Sequence, residues 1–258
     1  MRIAIGIEYD GSAYSGWQRQ RNGLGVQQVL EQALGEVADE AIEVTCAGRT
    51  DTGVHASGQV AHFDTEAERS NRGWLLGANS NLPDDVNVSW VRPVSDEFHA
   101  RFSAVARSYR YRILNRLVRS SLYRLQAWWV YQDLDHERMR EAAQALLGEH
   151  DFSAFRAAGC QASSAVRTIT SISVERDGDW ILLDVTANAF LQHMVRNITG
   201  TLAAVGSGEE DIAWLSAVLE SRDRTRGGVA APPHGLTLVR AQYPEEFGIP
   251  VPPALGPV

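Results

Sequence analysis

The chain is poor in cysteine and has no long apolar run. Its 258 residues contain two cysteines, Cys46 and Cys160, which lie far apart and outside any CxxC or paired-histidine spacing. This excludes a disulfide framework and a zinc knuckle, and it favours the reducing cytoplasm as the compartment. No segment approaches the ~18 consecutive apolar residues of a membrane span, and the amino terminus turns acidic before a signal-peptide core could form. We therefore expect neither a secreted nor a membrane-spanning protein.

The sequence also lacks lysine, and one long segment lacks acidic residues. All 24 basic residues are arginine, which favours forked contacts to phosphate and stacking on bases. The formal net charge of −8 by itself argues against binding a polyanion. Between Phe98 and Tyr131, however, the charge is +7, which leaves −15 for the rest of the chain. The seven arginines of this segment are Arg101, Arg107, Arg110, Arg112, Arg116, Arg119 and Arg124.

Aromatic side chains are interleaved with these arginines. Guanidinium groups that hold a phosphate backbone, together with rings that stack on bases, are the composition of a nucleic-acid groove. A solvated sheet face and a compositional bias toward arginine are the alternatives. The aromatic residues are Phe102, Tyr109, Tyr111, Tyr123, Trp128 and Trp129.

Hydrophobic periodicity predicts the same order of elements, βαββαβ, twice along the chain. In the first half it predicts strand 2–9, helix 26–37, strands 42–48 and 58–64, helix 71–81 and strand 86–92, followed by an extra strand 107–114. In the second half it predicts strand 127–131, helix 135–147, strands 166–175 and 180–187 joined by a turn at Asp177-Gly178, helices 189–205 and 211–219, and strand 236–243.

These elements predict an α+β fold of two tandem ferredoxin-like units that form a mostly antiparallel sheet with helices on one face. The predicted boundaries are 1–115 for the amino-terminal unit and 116–244 for the carboxyl-terminal unit. The tail 245–258 holds many of the nine prolines and is expected to be irregular.

The predicted connection between the two central strands of the first unit is unusually long. Hairpins normally need two to five connecting residues, and excess loop length on a rigid scaffold often carries function. Arg49 and Asp51 are two residues apart, so both side chains leave the same face if strand conformation continues. Gly53 permits a backbone conformation that other residues resist. The alternative is an ordinary turn in which Asp51 bonds its own backbone and Arg49 is its surface partner.

A second candidate lies in the predicted helix 189–205, which is apolar around most of its circumference and contains Arg196. A buried guanidinium is costly unless a carboxylate meets it. Asp51 of the other unit is one such partner, and the pairing would hold that aspartate ionised. The alternatives are a guanidinium that reaches the surface and a nearer acid such as Asp184.

Six blocks, in order and over nearly the whole chain, resemble the tRNA pseudouridine synthase A (TruA) family. The most specific block is 48–56, GRTDTGVHA, which is similar to the signature loop that carries the family's catalytic aspartate. The other blocks are Tyr9-Asp10-Gly11 with 16–20, Val26-Gln27 with Leu30-Glu31, 98–104 with 107–111, Phe190-Leu191 with 194–196 and Gly200, and 231–236.

The resemblance implies an isomerase that converts uridine to pseudouridine at positions 38, 39 and 40 of tRNA, in the anticodon stem-loop. This reaction breaks the C1′–N1 bond and joins C1′ to C5 of the same uracil, so no cofactor and no metal is expected. The resemblance further implies a catalytic cleft between the two units, and a homodimer with the tRNA lying across both subunits.

The resemblance also assigns roles to residues. It implies that Asp51 is the nucleophile, that Arg196 pairs with Asp51 and that Tyr109 stacks on the extruded uracil. Arg49 would help hold the displaced nucleotide or contact a phosphate, and His55 is interpreted as a hydrogen-bonding residue of the loop. The arginines expected to bind RNA are Arg101, Arg107 and Arg110.

Two other classes of function remain as alternatives. A non-catalytic RNA-binding protein would explain the arginine-rich segment but not Asp51 or Arg196. A glycoside or nucleoside hydrolase ordinarily needs a second carboxylate and a water. Asp10 is the only further acid in the blocks near Asp51, and its context, Tyr-Asp-Gly, predicts a turn.

Overall fold

The protein consists of two compact units in a computed structural model that describes residues 1–253 and 256. The first unit comprises Met1–Ala106 and the chain from Leu238 onward to 253, and the second comprises Arg107–Thr237 with Gly256. No helix in the described part of the chain is both long and apolar enough to cross a bilayer.

The strands are β1 (Arg2–Tyr9), β2 (Thr45–Cys46), β3 (His55–Asp64), β4 (Val86–Val94), β5 (Ala106–Asn115), β6 (Trp128–Val130), β7 (Gly148–Asp151), β8 (Val166–Asp177), β9 (Trp180–Ala187) and β10 (Leu236–Gln242). The α-helices are α1 (Val26–Ala38), α2 (Asn71–Asn81), α3 (His136–Ala143), α4 (Met194–Gly206) and α5 (Ile212–Ser221).

The first unit has the predicted order βαββαβ, from β1 to β4. Its strands lie in the order β4-β1-β3-β10, and the short β2 pairs with β3. The pairs β1–β3, β1–β4 and β2–β3 are antiparallel. One of its buried clusters contains Ala4, Val60 and Phe98, and Tyr243 and Phe247 pack against it. The chain after β10 is thereby attached to this unit.

The second unit has the strand order β5-β9-β8-β7, with every pair along that path antiparallel. Strand β6 pairs with β5 in parallel. A two-residue turn of Gly178 and Asp179 joins β8 to β9, one residue later than the predicted Asp177-Gly178 turn, because Asp177 still pairs with Trp180; Gly178 has a φ of 57°. Helix α3 begins at an Asp135 cap, whose carboxylate accepts hydrogen bonds from the amides of Glu137 and Arg138.

The structure confirms an α+β protein with mostly antiparallel pairing, but not a tandem repeat. Strand β7 was not predicted, and α5 follows α4 before the chain returns to the first unit in β10. Strand β5 belongs almost entirely to the second unit, because it pairs with β9 from Arg107 to Leu114. The structural division therefore falls at 106, whereas the predicted boundary was 115.

Several predicted elements have different bounds in the structure. Segment 42–48 is a strand only at Thr45–Cys46, and β3 begins at His55 instead of 58, so the connecting loop spans 47–54. Helix α4 begins at Met194 instead of 189, because His193 has a left-handed backbone with φ 61°. The tail has one 3-10 turn, Glu245–Phe247, and no further helix or strand up to 253. Residues 254, 255, 257 and 258 of the predicted tail lie outside the described residues.

Candidate active site

The loop 47–54 of the first unit is held by hydrogen bonds from the segment that follows β1. The amide of Trp17 donates to the carbonyl of Thr50 at 3.0 Å, and the amide of Gly53 donates to the carbonyl of Tyr14 at 3.4 Å. The hydroxyls of Tyr9 and Thr50 lie 2.8 Å apart in a buried hydrogen bond. These contacts immobilise the peptide that immediately precedes Asp51.

Glycines allow the two segments to approach this closely. A Cβ on Gly16 would lie 2.7 Å from the carbonyl oxygen of Thr50, and one on Gly11 would lie 2.0 Å from that of Val54. Gly53 has a φ of 77°, which confirms that the loop needs a glycine at this position. The Tyr-Asp-Gly and Gly-Trp blocks of the sequence therefore support the acidic loop. Sequence reasoning missed this role, and the glycines were its only signal.

The hydroxyl of Tyr14 adds a further anchor. It donates to a carboxylate oxygen of Asp85 at 2.5 Å, while the carbonyl of the same residue accepts from Gly53. Burial and this hydrogen bond raise the pKa of Tyr14 above its ordinary value, so the hydroxyl remains a donor at neutral pH.

Asp51 is half-buried within this loop, and Arg49 is exposed. Both residues lie outside the strands, so strand conformation does not continue through them and the condition for a shared strand face is not met. The residue predicted to play a hydrogen-bonding role, His55, is buried, and its Nδ1 accepts from the amide of Gly11 at 3.1 Å. Asp10 caps the turn that follows it by accepting from the amide of Ser12, which confirms its interpretation as a turn residue.

Tyr109 and Arg107 lie on β5 of the second unit. The ring of Tyr109 is 9% exposed and contacts that of Phe190 edge to face, with 5.0 Å between centroids. An Nη of Arg107 donates to the carbonyl of Asn188 at 3.1 Å. The segment between β9 and α4 thus packs beside the residues that were predicted to bind the uracil and the RNA.

Arg110 forms a forked ion pair with Asp184 on the neighbouring strand. Its Nε and one Nη each donate to a carboxylate oxygen at 2.8 Å, and the two residues are directly opposite in the β5–β9 register. The ion pair raises the pKa of Arg110 and ties the two strands together. Asp184 was the alternative acid considered for Arg196, and it is bound by Arg110 instead.

Arg196 is half-buried on α4, a helix whose residues are otherwise all buried except Ala204. Its Nε donates to the carbonyl of Ala231 at 2.8 Å, and the amide of Ala231 donates back to the carbonyl of Arg196 at 3.0 Å. Burial raises the pKa of Tyr111 well above its ordinary value, while the positive charge of Arg196 acts in the opposite direction. The guanidinium therefore lies within electrostatic reach of β5.

A close backbone crossing holds Ala231 against α4. A Cβ on Gly200 would lie 1.7 Å from the carbonyl oxygen of Val229, and the amide of Gly228 donates to the hydroxyl of Thr201 at 3.1 Å. Two sequence blocks that are about thirty residues apart, the late helix and the segment 231–236, are thereby brought together around Arg196.

The predicted site residues fall into two groups. Arg49, Asp51 and Arg101 belong to the first unit, and the second unit contains Arg107, Tyr109, Arg110 and Arg196. The pairing of Asp51 with Arg196 stays a prediction. Among the described residues, no group of three or more histidine, cysteine or acidic side chains is arranged to hold a metal ion.

The protein thus has an α+β fold in which the half-buried Asp51 lies between Gly48 and Gly53, on a loop that is hydrogen-bonded to the segment after β1. The family described as tRNA pseudouridine synthase matches residues 5–103 and 142–244. The tRNA pseudouridine synthase A of Pseudoalteromonas atlantica is 56% identical over 97% of this chain and 95% of its own. Those of Methylococcus capsulatus and Shewanella amazonensis are 57% and 54% identical, over 96% and 100% of this chain and 92% and 98% of their own. The chain belongs to the tRNA pseudouridine synthase family and is an isomerase.

Proposed function

We propose that this protein isomerises uridine to pseudouridine at positions 38, 39 and 40 in the anticodon stem-loop of tRNA, with Asp51 as the nucleophile. We infer the reaction and the tRNA substrate from membership of the family. The role of Asp51 as the nucleophile is supported by its position in a loop that forms hydrogen bonds with Tyr9, Tyr14 and Trp17.

The chemistry needs little beyond a positioned carboxylate. The glycosidic bond from C1′ to N1 breaks, the uracil rotates, and C1′ bonds to C5 of the same base. C5 then loses its proton and N1 gains one, so atoms and electrons balance without an external donor or acceptor. The carboxylate of Asp51 would add either to the sugar or to the base to hold the intermediate. A rigid support for that carboxylate lowers the cost of orienting it.

The second unit would supply the rest of the site. A uridine in a stem must be extruded, which costs a few kcal/mol and requires replacement stacking in the pocket. We assign that stacking to Tyr109, whose ring is already positioned by Phe190. Arg196, oriented by Ala231, would pair with Asp51 and keep it ionised. Arg49 would hold the displaced nucleotide or a neighbouring phosphate.

The RNA backbone would be gripped by arginines of the segment 98–131. Arg101 is exposed on a turn, and Arg107 lies at the start of β5. Arg110 is expected to contribute less, because its charge is shared with Asp184.

We also propose that the protein acts in the cytoplasm as a homodimer. A monomer in light scattering at assay concentration would overturn the homodimer.

The decisive experiment is chemical mapping of pseudouridine in a tRNA with uridines at positions 38–40. Asp51→Asn and Asp51→Ala should retain tRNA binding and lose product formation by at least about 10⁴-fold. Asp133→Asn is a matched control, since the side chain of Asp133 is fully exposed and the change is chemically the same. Turnover by either Asp51 variant would refute the assignment, and release of free uracil by the wild type would indicate a hydrolase instead.

A further inference from the structure

The turn between β4 and β5 presents an aromatic ring to solvent. Phe102 is 74% exposed, whereas Phe98, four residues earlier, is fully buried in the core of the same unit. Of the aromatic residues interleaved with the arginines of this segment, Tyr111 is fully buried and Tyr109 is 9% exposed. Phe102 therefore contributes little to the hydrophobic core. Because a single exposed apolar side chain is common on protein surfaces, the case for a contact site depends on the groups that surround the ring.

Phe102 is part of a layered arrangement of flat groups. Its ring stacks on the imidazole of His99, with 4.4 Å between centroids and 29° between planes. The guanidinium carbon of Arg101 lies 5.4 Å from the centroid of the Phe102 ring, in cation–π contact. Imidazole, phenyl and guanidinium are the groups on which unstacked RNA bases stack.

The turn that carries this arrangement is rigid. The Nδ1 of His99 accepts from the amides of Arg101 and Phe102, both at 3.2 Å. The amide of Ser103 donates to the carbonyl of His99 at 2.8 Å, and the hydroxyl of Ser103 accepts from the amide of His99 at 2.9 Å. Because the ring is held on an ordered turn, little conformational entropy is lost when a ligand binds it.

A buried histidine fixes the turn to the sheet. The Nδ1 of His62 on β3 accepts from the amide of Ala100 at 3.1 Å, and the ring of His62 contacts that of His99 edge to face. Burial, together with the charge of Arg2, lowers the pKa of His62 to about 4, so the nitrogen remains an acceptor at neutral pH. The same two causes lower the pKa of His99 and favour its neutral form.

We propose that Phe102, stacked on His99 and overlain by the guanidinium of Arg101, forms with that guanidinium a stacking platform for one unpaired nucleobase of the substrate RNA. An RNA fits better than a protein segment, because the exposed ring adjoins a guanidinium in a segment that has no acidic residue from Phe98 to Tyr131. The inference rests on the proposed function for the identity of the RNA. It adds a contact for a base other than the uridine that reacts.

The test compares tRNA affinity among variants of Phe102 in the Asp51→Asn background, where no turnover disturbs the titration. Phe102→Ala and Phe102→Leu should bind about 5- to 150-fold more weakly, whereas Phe102→Trp should stay within about threefold of Phe102. Leu76→Ala is the matched control, because Leu76 is a 49% exposed apolar residue of the same unit. It should leave the affinity unchanged.

Salt dependence separates stacking from charge. Phe102→Ala should leave the slope of affinity against salt concentration unchanged, whereas Arg101→Ala should reduce it by about one. We then compare a set of tRNAs, each of which lacks one base of the anticodon loop. For one of these tRNAs, the affinities of the Phe102 and Phe102→Ala proteins should be equal. The base missing from that tRNA is the one that stacks on the ring.

Three results would overturn the platform: unchanged affinity of Phe102→Ala, equal affinity of the Leu and Trp variants, or no abasic position that removes the difference. A change of oligomeric state in Phe102→Ala would also overturn it, by assigning the ring to a contact between copies of the chain. Pseudouridine formation by the otherwise wild-type chain is measured in parallel. If the otherwise wild-type chain forms no pseudouridine, the proposed function is wrong. If it forms pseudouridine but the Phe102 variants bind tRNA as tightly as Phe102 does, only the platform is wrong.

Discussion

Replacing Gly200 with alanine tests the close crossing that positions Arg196. Helix propensity alone predicts a gain, since alanine is favoured over glycine inside a helix by about 1 kcal/mol. The structure predicts the opposite sign. The new Cβ would lie 1.7 Å from the carbonyl oxygen of Val229, so the segment 228–231 must retreat by about 1.5 Å to restore ordinary contact.

The size of the loss follows from the contacts that this retreat breaks. Two hydrogen bonds join Arg196 to Ala231 and a third joins Gly228 to Thr201. Each is worth about 1 kcal/mol net, and overpacking adds about 1–3 kcal/mol. After the gain in helix propensity, we expect the free energy of unfolding to fall by about 3–5 kcal/mol. The corresponding fall in the thermal midpoint is about 6–20 °C, at about 2–4 °C per kcal/mol for a protein of this size.

The assay is thermal and urea unfolding followed by circular dichroism, with pseudouridine formation measured at a temperature where the variant is folded. Activity should fall more than the folded fraction does, because Arg196 loses the carbonyl that orients it. Gly159→Ala is the control in the same unit, where a Cβ would have its nearest neighbour at 3.8 Å and stability should change by less than about 1 kcal/mol. A Gly200→Ala protein as stable as the wild type would refute the reasoning.

Two further predictions concern the first unit. Tyr9→Phe removes the hydroxyl that contacts Thr50, so single-turnover pseudouridine formation should slow by about 3- to 10-fold at unchanged tRNA affinity; a normal rate would contradict the positioning role. The hydrogen bonds from Arg2 lower the pKa of Asp64, so their stabilisation is present above the unfolded pKa and is lost as pH falls through the folded pKa. The stability difference between wild type and Asp64→Asn, below about 1 kcal/mol because the carboxylate is 62% exposed, should therefore shrink as the pH falls below the ordinary aspartate pKa of about 4. A urea-unfolding difference that stays constant from neutral pH down to about pH 2 would contradict it.

Local pattern predicted much of the secondary structure. The alternation of Ile3, Ile5 and Ile7 gave the bounds of β1 correctly, and the helical spacing from Val26 predicted α1 to within one residue. Where a long-range contact determined the bounds, the pattern was insufficient. The alternating segment 42–48 pairs with β3 only at Thr45 and Cys46.

The electrostatic prediction shows the same limit. Counting charges along the sequence gave +7 for the segment 98–131, but the structure brings acidic residues from elsewhere to arginines of this segment, as at Arg110 and Arg116. Asp184 pairs with Arg110, and Asp179 lies 3.3 Å from Arg116. Sequence proximity could not predict this compensation, because the partners are 74 and 63 residues apart.

The sequence by itself determined the family, the acidic loop and the need for a glycine at position 53, because these depend on residue identity and local backbone conformation. Only the tertiary structure decided which segment supports that loop, where α4 begins, and which carbonyl orients Arg196. The support of the loop and the orientation of Arg196 depend on close approach between distant backbone segments, as at Gly16 with Thr50 and Gly200 with Val229, and the start of α4 depends on the left-handed backbone of His193. In both cases the glycine leaves room for a neighbouring backbone segment, and only the fold determines which segment that is.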